Sequence, residues 1–204
     1  KRDARMNLLR EYIRETLLAE VAKGVEDLAD WDYVRVIKDG SLAEFSIKMD
    51  TDDGGWTSPI GSILIVKGHG AGECSDAWMV ANTAAKGGWG PMLYDIAMEW
   101  ATEYGGGLMS DRASVSKDAY RVWDYYKNNR PDVEARQLDM PQDWFKNGPQ
   151  DDCKQGSTWK WLAKTDGDEE EWAEVPLSKV YRKPGMKTIN ALKTAGKFKV
   201  EERR

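Results

Sequence analysis

The sequence predicts an α/β fold: a mixed, mostly antiparallel sheet of about six or seven strands with helices packed against its faces. Three observations carry this expectation. Residues 32–38 and 42–50 alternate apolar and polar side chains on either side of Asp39-Gly40, a hairpin turn dipeptide. Residues 4–22 and 91–104 repeat apolar side chains at three- and four-residue steps, the period of a helix with one buried face. Residues 76–112 run strand, glycine-rich turn, helix, strand.

Composition narrows the class. The chain has 204 residues, 41% hydrophobic and 32% charged, enough for one domain with appendages and a real core. No apolar run approaches the ~20 residues that span a bilayer, and no signal-peptide core opens the chain, so no membrane role is expected. A formal net charge of −5 argues against general affinity for nucleic acid. Cys74, Cys153 and His69 are too few for a disulfide framework or a Cys/His zinc cluster, and both thiols are expected to be reduced, as in the cytoplasm. Ten tryptophans stand against three phenylalanines. Since each indole N–H wants a partner, several are expected at element edges or in a groove. A chain opening on Lys1 is expected to be a processed or trimmed product, or to start at Met6 behind tag residues.

In chain order, the helix over 4–22 buries Leu8, Leu9, Tyr12, Ile13, Leu17, Val21 and Ala22, with Gly24 as its stop. It either covers the sheet or docks on a partner protein. The two strands of the hairpin follow. The loop 50–59 holds Asp52 and Asp53 beside Gly54 and Gly55, a hint of calcium without the twelve-residue ligand spacing, hence a solvated turn. Residues 60–66 form a third strand. The glycine-rich loop 67–75 contains His69, a general base if it faces a substrate and an exposed loop histidine otherwise.

A short buried strand over 77–82 then leads to Lys86-Gly87-Gly88-Trp89-Gly90-Pro91. Three glycines let the backbone turn sharply, and Pro91 suits the first turn of a helix, where its missing N–H costs nothing. Met92, Leu93, Ile96, Ala97, Trp100, Ala101 and Tyr104 make that helix's apolar face. A glycine turn feeding a helix N-terminus points N–H donors and a positive dipole end at one spot, an anion site, although tight packing alone also selects such turns. Gly105-Gly106-Gly107 ends the helix and Leu108-Met109-Ser110 begins another strand. A helix over 116–128, capped by Ser114 or Ser116, turns Ala119, Val122, Trp123 and Tyr126 inward. Asp111, followed by Arg112, is either half of a structural clamp or a catalytic base. A strand over 133–138 precedes a long polar loop, 139–157. Residues 158–162 suit a strand, 166–171 an acidic turn and 175–182 a final extended piece. From residue 183 onward Lys183, Lys187, Lys193, Lys197, Lys199, Arg203 and Arg204 form a basic tail. It is a solvated terminus or a grip for nucleic acid or an acidic partner, with one short helix over 186–195.

The run Ala85-Lys86-Gly87-Gly88-Trp89-Gly90 resembles the Q/R-x-x-G-x-G/A pyrophosphate loop of the GNAT superfamily, the acyl-CoA-dependent N-acyltransferases. Gly88 and Gly90 match, while Ala85 stands in the Gln/Arg position with Lys86 as the nearest cation. Ser116-Lys117-Asp118-Ala119, followed by Val122 and Trp123, parallels that family's N-x-x-A-x-x-L-Y segment, with Trp123 where its general-acid Tyr stands. The hairpin about Asp39-Gly40 takes the place of two helices that line the family's acceptor site. The resemblance covers roughly residues 31–140.

It implies a sheet splayed at the glycine loop and transfer of an acetyl or other acyl group from coenzyme A to an amine, without metal or covalent intermediate. The donor would be held by Val80, Asn82, Lys86, Gly87, Gly88, Trp89, Gly90 and Met92. Asp111 would serve as base, and Tyr120, Tyr125 or Tyr126 as substitute acid. The chain then divides into an N-terminal helical extension (1–30), a GNAT-like domain (31–182) and the basic tail (183–204). Residues 89–95 and 110–116 also look like GNAT-like proteins of large bacteriophages, which implies a second function: a catalytically degenerate scaffold acting as a virion component or other protein-binding part.

Overall fold

The computed structural model describes residues 22–48, 59–67, 76–112, 114–138 and 174–203. Its eight strands form a single sheet: β1 (Tyr33–Asp39), β2 (Leu42–Lys48), β3 (Gly61–Lys67), β4 (Trp78–Ala85), β5 (Leu108–Met109), β6 (Glu134–Gln137), β7 (Lys179–Arg182) and β8 (Phe198–Glu202). They lie in the order β6-β7-β5-β4-β3-β2-β1-β8. Two of the pairings, β4 with β5 and β1 with β8, are parallel, and the other five are antiparallel. The fold is therefore α/β with a mixed, mostly antiparallel sheet, as expected from the alternating segments.

Its helices are α1 (Gly90–Glu103), α2 (Lys117–Asn129) and α3 (Lys187–Thr194), with 3-10 turns at Val25–Asp27 and Pro176–Ser178. Helix α1 is buried on nearly every side, by Met92, Leu93, Ile96, Ala97 and Trp100 among others. It meets the helix-side face of the sheet, formed by Val34, Val36, Ala43, Phe45, Ile47, Ile63 and Ile65. Trp100 meets Phe45 edge-on at 5.5 Å between ring centroids. Ser116 caps α2, its side chain accepting the Ala119 N–H at 3.1 Å. Trp123 of α2 stacks on Tyr181 of β7 at 5.1 Å and meets Tyr94 of α1 edge-on at 5.5 Å. Ile189 and Leu192 of α3 join the same cluster. These three helices thus share one face of the sheet. Ala77, Met109, Leu138 and Val180 make a smaller cluster on the other side.

Three expectations need correction. Among the described residues the sheet already has eight strands where six or seven were expected, because the segment 183–204 is not a solvated basic tail. It supplies α3, whose Ile189 and Leu192 are fully buried, and β8, which extends the sheet beside β1. Tyr104 does not belong to the apolar face of α1. It caps the helix, 51% exposed, with its ring tilted against Trp100 at 4.4 Å. The helix over 4–21, the loop with Asp52 and Asp53, the His69 loop, both cysteines, the loop 139–157, the strand over 158–162 and the acidic turn 166–171 lie outside the described residues.

Candidate functional site

The geometry of interest begins where β4 leaves β5. These strands pair only through Trp78 with Leu108 and Met79 with Met109, because β5 is two residues long. Within β4 the register against β3 skips Ala81, since Val80 faces Ile65 and Asn82 faces Leu64. Such a bulge bends the strand and re-aims its edge. Beyond it Ala81, Asn82, Ala84, Ala85, Lys86 and Gly87 are exposed. The Val80 side chain is in the core, so it offers a ligand only backbone groups.

The turn itself depends on two left-handed glycines, Gly87 (φ 47°) and Gly88 (φ 85°). A Cβ at Gly87 would meet nothing within 4 Å, so space beside it is open. Among residues 87–92, Trp89 donates its N–H to the Lys86 carbonyl at 3.3 Å and Pro91 has none. That leaves at most the N–H groups of Gly87, Gly88, Gly90 and Met92 for an anion. The Trp89 ring is buried in the core and its backbone N–H is used internally, so its side chain does not line the open space beside the turn. Met92 is likewise buried and contributes backbone alone.

One neighbour of the turn could not be read from the sequence. The Lys23 N–H donates to the Gly88 carbonyl at 3.1 Å, and its ammonium lies 5.1 Å from the centroid of the Trp89 ring. With exposed Lys86, it places a second cation beside the turn. No local motif could have signalled Lys23, because the contact joins distant stretches of chain. On β4, the Thr83 hydroxyl oxygen is buried with no hydrogen bond of good geometry, beside the buried Tyr94 phenol.

The candidate acid–base groups are spread along the exit of β5 and the first half of α2. Asp111 accepts the Ser114 N–H at 3.3 Å, and Arg112 donates to the Leu177 carbonyl at 2.9 Å, so both anchor the chain before α2. Tyr120 is half-buried, and burial with the Asp124 charge pushes its phenol above the ordinary tyrosine value. Tyr125 lies on the exposed side of α2 with its ring edge-on to Tyr126 at 6.0 Å. Tyr126 is fully committed: its hydroxyl donates to Asp95 at 2.6 Å and lies 3.2 Å from the Pro91 carbonyl, and burial raises its pKa strongly. It cannot release a proton to a substrate. Trp123 is 1% exposed between Tyr94 and Tyr181.

A second set of charges lies on the flanks of α1, unsignalled by any local motif. Lys183, 4% exposed, reaches Asp95 and Glu99, each at 2.9 Å. Glu99 is completely buried, and its two oxygens accept the Thr188 and Ile189 N–H groups at 2.9 Å, which caps α3 with a carboxylate. Arg130 grips Asp95 through two bonds of 3.0 and 3.1 Å and Asp132 through two of 2.8 Å. The Arg130 guanidinium holds the Asp132 carboxyl down at about 2. Every carboxylate here has a cation, so the cluster ties helices together and leaves no group idle for chemistry.

Among the described residues, no three His, Cys, Asp or Glu side chains come together to hold a metal ion, and no helix is long and apolar enough to cross a membrane. No known protein family, curated protein or solved structure matches the chain.

Proposed function

We propose that the chain is an acyl-CoA-dependent N-acyltransferase, with acetyl-CoA as donor and an amine as acceptor. One observation supports this most: bulged β4 parts from β5 after Met79 and runs, exposed, into a positive-φ glycine turn at the start of α1. A run of strand backbone leading to N–H donors suits a ligand with an amide-bearing arm and a pyrophosphate. Backbone groups of residues 80–82 would pair with the arm. The N–H groups of Gly87, Gly88, Gly90 and Met92 would take the phosphates, with Lys23 and Lys86 as counter-charges. Acyl-CoA supplies the activated thioester. For the chain's own part, Asp111 accepts the amine's proton and Tyr120, kept protonated by its surroundings, donates one to the departing thiolate. The rest is orientation of two reactants in one cleft.

A catalytically silent scaffold, such as a phage virion component, is the second function to be tested, favoured by Trp123 lying in the core where an acid would be needed and by Ala85 before the turn. Calorimetric titration with acetyl-CoA and with CoA separates the two. Micromolar binding that is lost in a folded Gly88→Glu variant supports the acyltransferase and justifies an acceptor screen. Absence of binding at millimolar ligand removes it and leaves the scaffold.

A further inference from the structure

We propose that two copies of this chain join edge to edge through β8, antiparallel about a two-fold axis at Val200, into one continuous sheet. Strand β8 is the last of the sheet on the β1 side. Among the described residues β1 is its only sheet partner, and residues 199–203 are exposed. The Val34 N–H donates to the Lys197 carbonyl at 2.8 Å, and the Arg203 N–H to the Lys38 carbonyl at 2.9 Å. Backbone polar groups alternate sides along a strand, so odd-numbered residues 197–203 address β1. The N–H and C=O groups of Phe198, Val200 and Glu202 therefore address the open edge.

An open edge usually carries lysine to repel a newcomer. Here the charges are arranged to repel all partners but one. Lys197 and Lys199 precede Val200, and Glu201 and Glu202 follow it. A parallel second copy cannot align in register, because a parallel ladder sets an edge-facing residue opposite one that faces away, and no parallel register it allows brings Lys199 opposite Glu201. An antiparallel copy with Val200 opposite Val200 sets Lys199 opposite Glu201 on both sides of the axis, and Phe198 opposite Glu202. A slip of two residues brings Lys199 to Lys199 or Glu201 to Glu201. A slip of one matches an edge-facing residue with one that faces β1, which forms no ladder. Both the backbone alternation and the charges therefore select one register.

The side chains agree with that register. Phe198 and Val200 stand beside Val34 and Val36, on the helix-covered face, where Val200 is 46% exposed and would meet its twin. On the other face Glu201 already accepts from Arg35 at 3.0 and 2.5 Å, and the Lys199 ammonium sits 3.6 Å from the Tyr33 ring centroid. In the pair, each Glu201 lies between Arg35 of its own copy and Lys199 of the second. The contact is self-complementary and closed, as a two-fold interface must be.

Sedimentation analysis of the full chain over a range of concentrations tests this. The wild type is expected to show a reversible monomer–dimer equilibrium. Val200→Pro removes an N–H that faces the edge rather than β1, which a sheet tolerates, and is expected to be a folded monomer by circular dichroism. Glu201→Lys alone and Lys199→Glu alone place like charges opposite each other and should each weaken association at least about tenfold, whereas an equimolar mixture of the two should associate again. A wild type that stays monomeric at its highest soluble concentration overturns the proposal. So does a dimer that both single-charge variants leave intact.

Discussion

The first turn of helix α1 and its middle hold their neighbours by opposite means. At its N-terminus the chain offers backbone: a bulged strand, two left-handed glycines and a first turn whose N–H groups have few internal partners. One to two turns further on, Asp95 and Glu99 hold Lys183, Arg130, the Tyr126 hydroxyl and the first N–H groups of α3, every charge answered. Buried ionisable groups commonly mark a functional site. Here saturation identifies the cluster as structural, and the region poor in charged side chains is the better candidate for a ligand. What discriminates is the presence of groups still lacking a partner, not the number of polar side chains.

If so, breaking the cluster should cost stability and leave ligand binding alone in whatever fraction stays folded. The largest effect is expected for Lys183→Met. It leaves buried Glu99 without the Lys183 ammonium, while Asp95 keeps Arg130, and an uncompensated buried carboxylate costs about 3–5 kcal/mol, read from urea unfolding. Gly107→Ala comes next. Its φ is 113° and a Cβ would lie 2.7 Å from the Tyr181 carbonyl oxygen, so the β5–β7 junction must shift. A loss of about 2–3 kcal/mol is expected, seen as a lower denaturation midpoint with unchanged slope.

A smaller effect reaches the cluster through pH. Asp132 falls from the usual 3.8 to about 2 because Arg130 binds its ionised form. A depressed carboxyl contributes stability that is whole above its ordinary value and lost as pH falls through its folded one. Thermal midpoints should therefore drop as pH falls from about 4 to 2, and Asp132→Asn should flatten that part of the profile. A profile identical in wild type and variant would show that Arg130 is held by Asp95 alone.

How much of this was legible depended on how far apart the partners lie. Local signals served well: Asp39-Gly40 gave the β1–β2 hairpin, Pro91 and the glycines bounded α1, and Ser116 capped α2. Strand β8 was missed because its five residues carry two glutamates and a lysine, which read as solvated charge, and because its parallel partner β1 lies at the other end of the chain. Glu99 failed in the same way. On a helical wheel it is simply polar, and only Lys183 and the start of α3, brought in by the fold, make its burial affordable. For the candidate site, the glycine turn was visible as a motif, whereas Lys23 beside it and the burial of Trp89 were not. The burial of Trp123 was foreseen in direction, since Ala119, Val122, Trp123 and Tyr126 were expected to face inward, but not the aromatic stack that fixes it.

The smallest stability effect should accompany the clearest effect on a ligand. Gly87 has φ 47°, and a Cβ built on it meets no atom within 4 Å. Ala at this position bears only the strain of a left-handed alanine, about 1 kcal/mol, with no clash to add. Yet its methyl would stand in the open space beside the turn, where the proposed pyrophosphate approaches the backbone. Gly87→Ala should therefore unfold close to the wild-type midpoint while its affinity for CoA falls at least about tenfold, or about 1.4 kcal/mol. Gly107→Ala should do the reverse, losing stability while its folded fraction binds normally. If instead Gly87→Ala binds CoA as the wild type does, the glycines of this turn serve the tight path from β4 into α1 and no anion. The first turn and the middle of α1 would then differ only in how they pack.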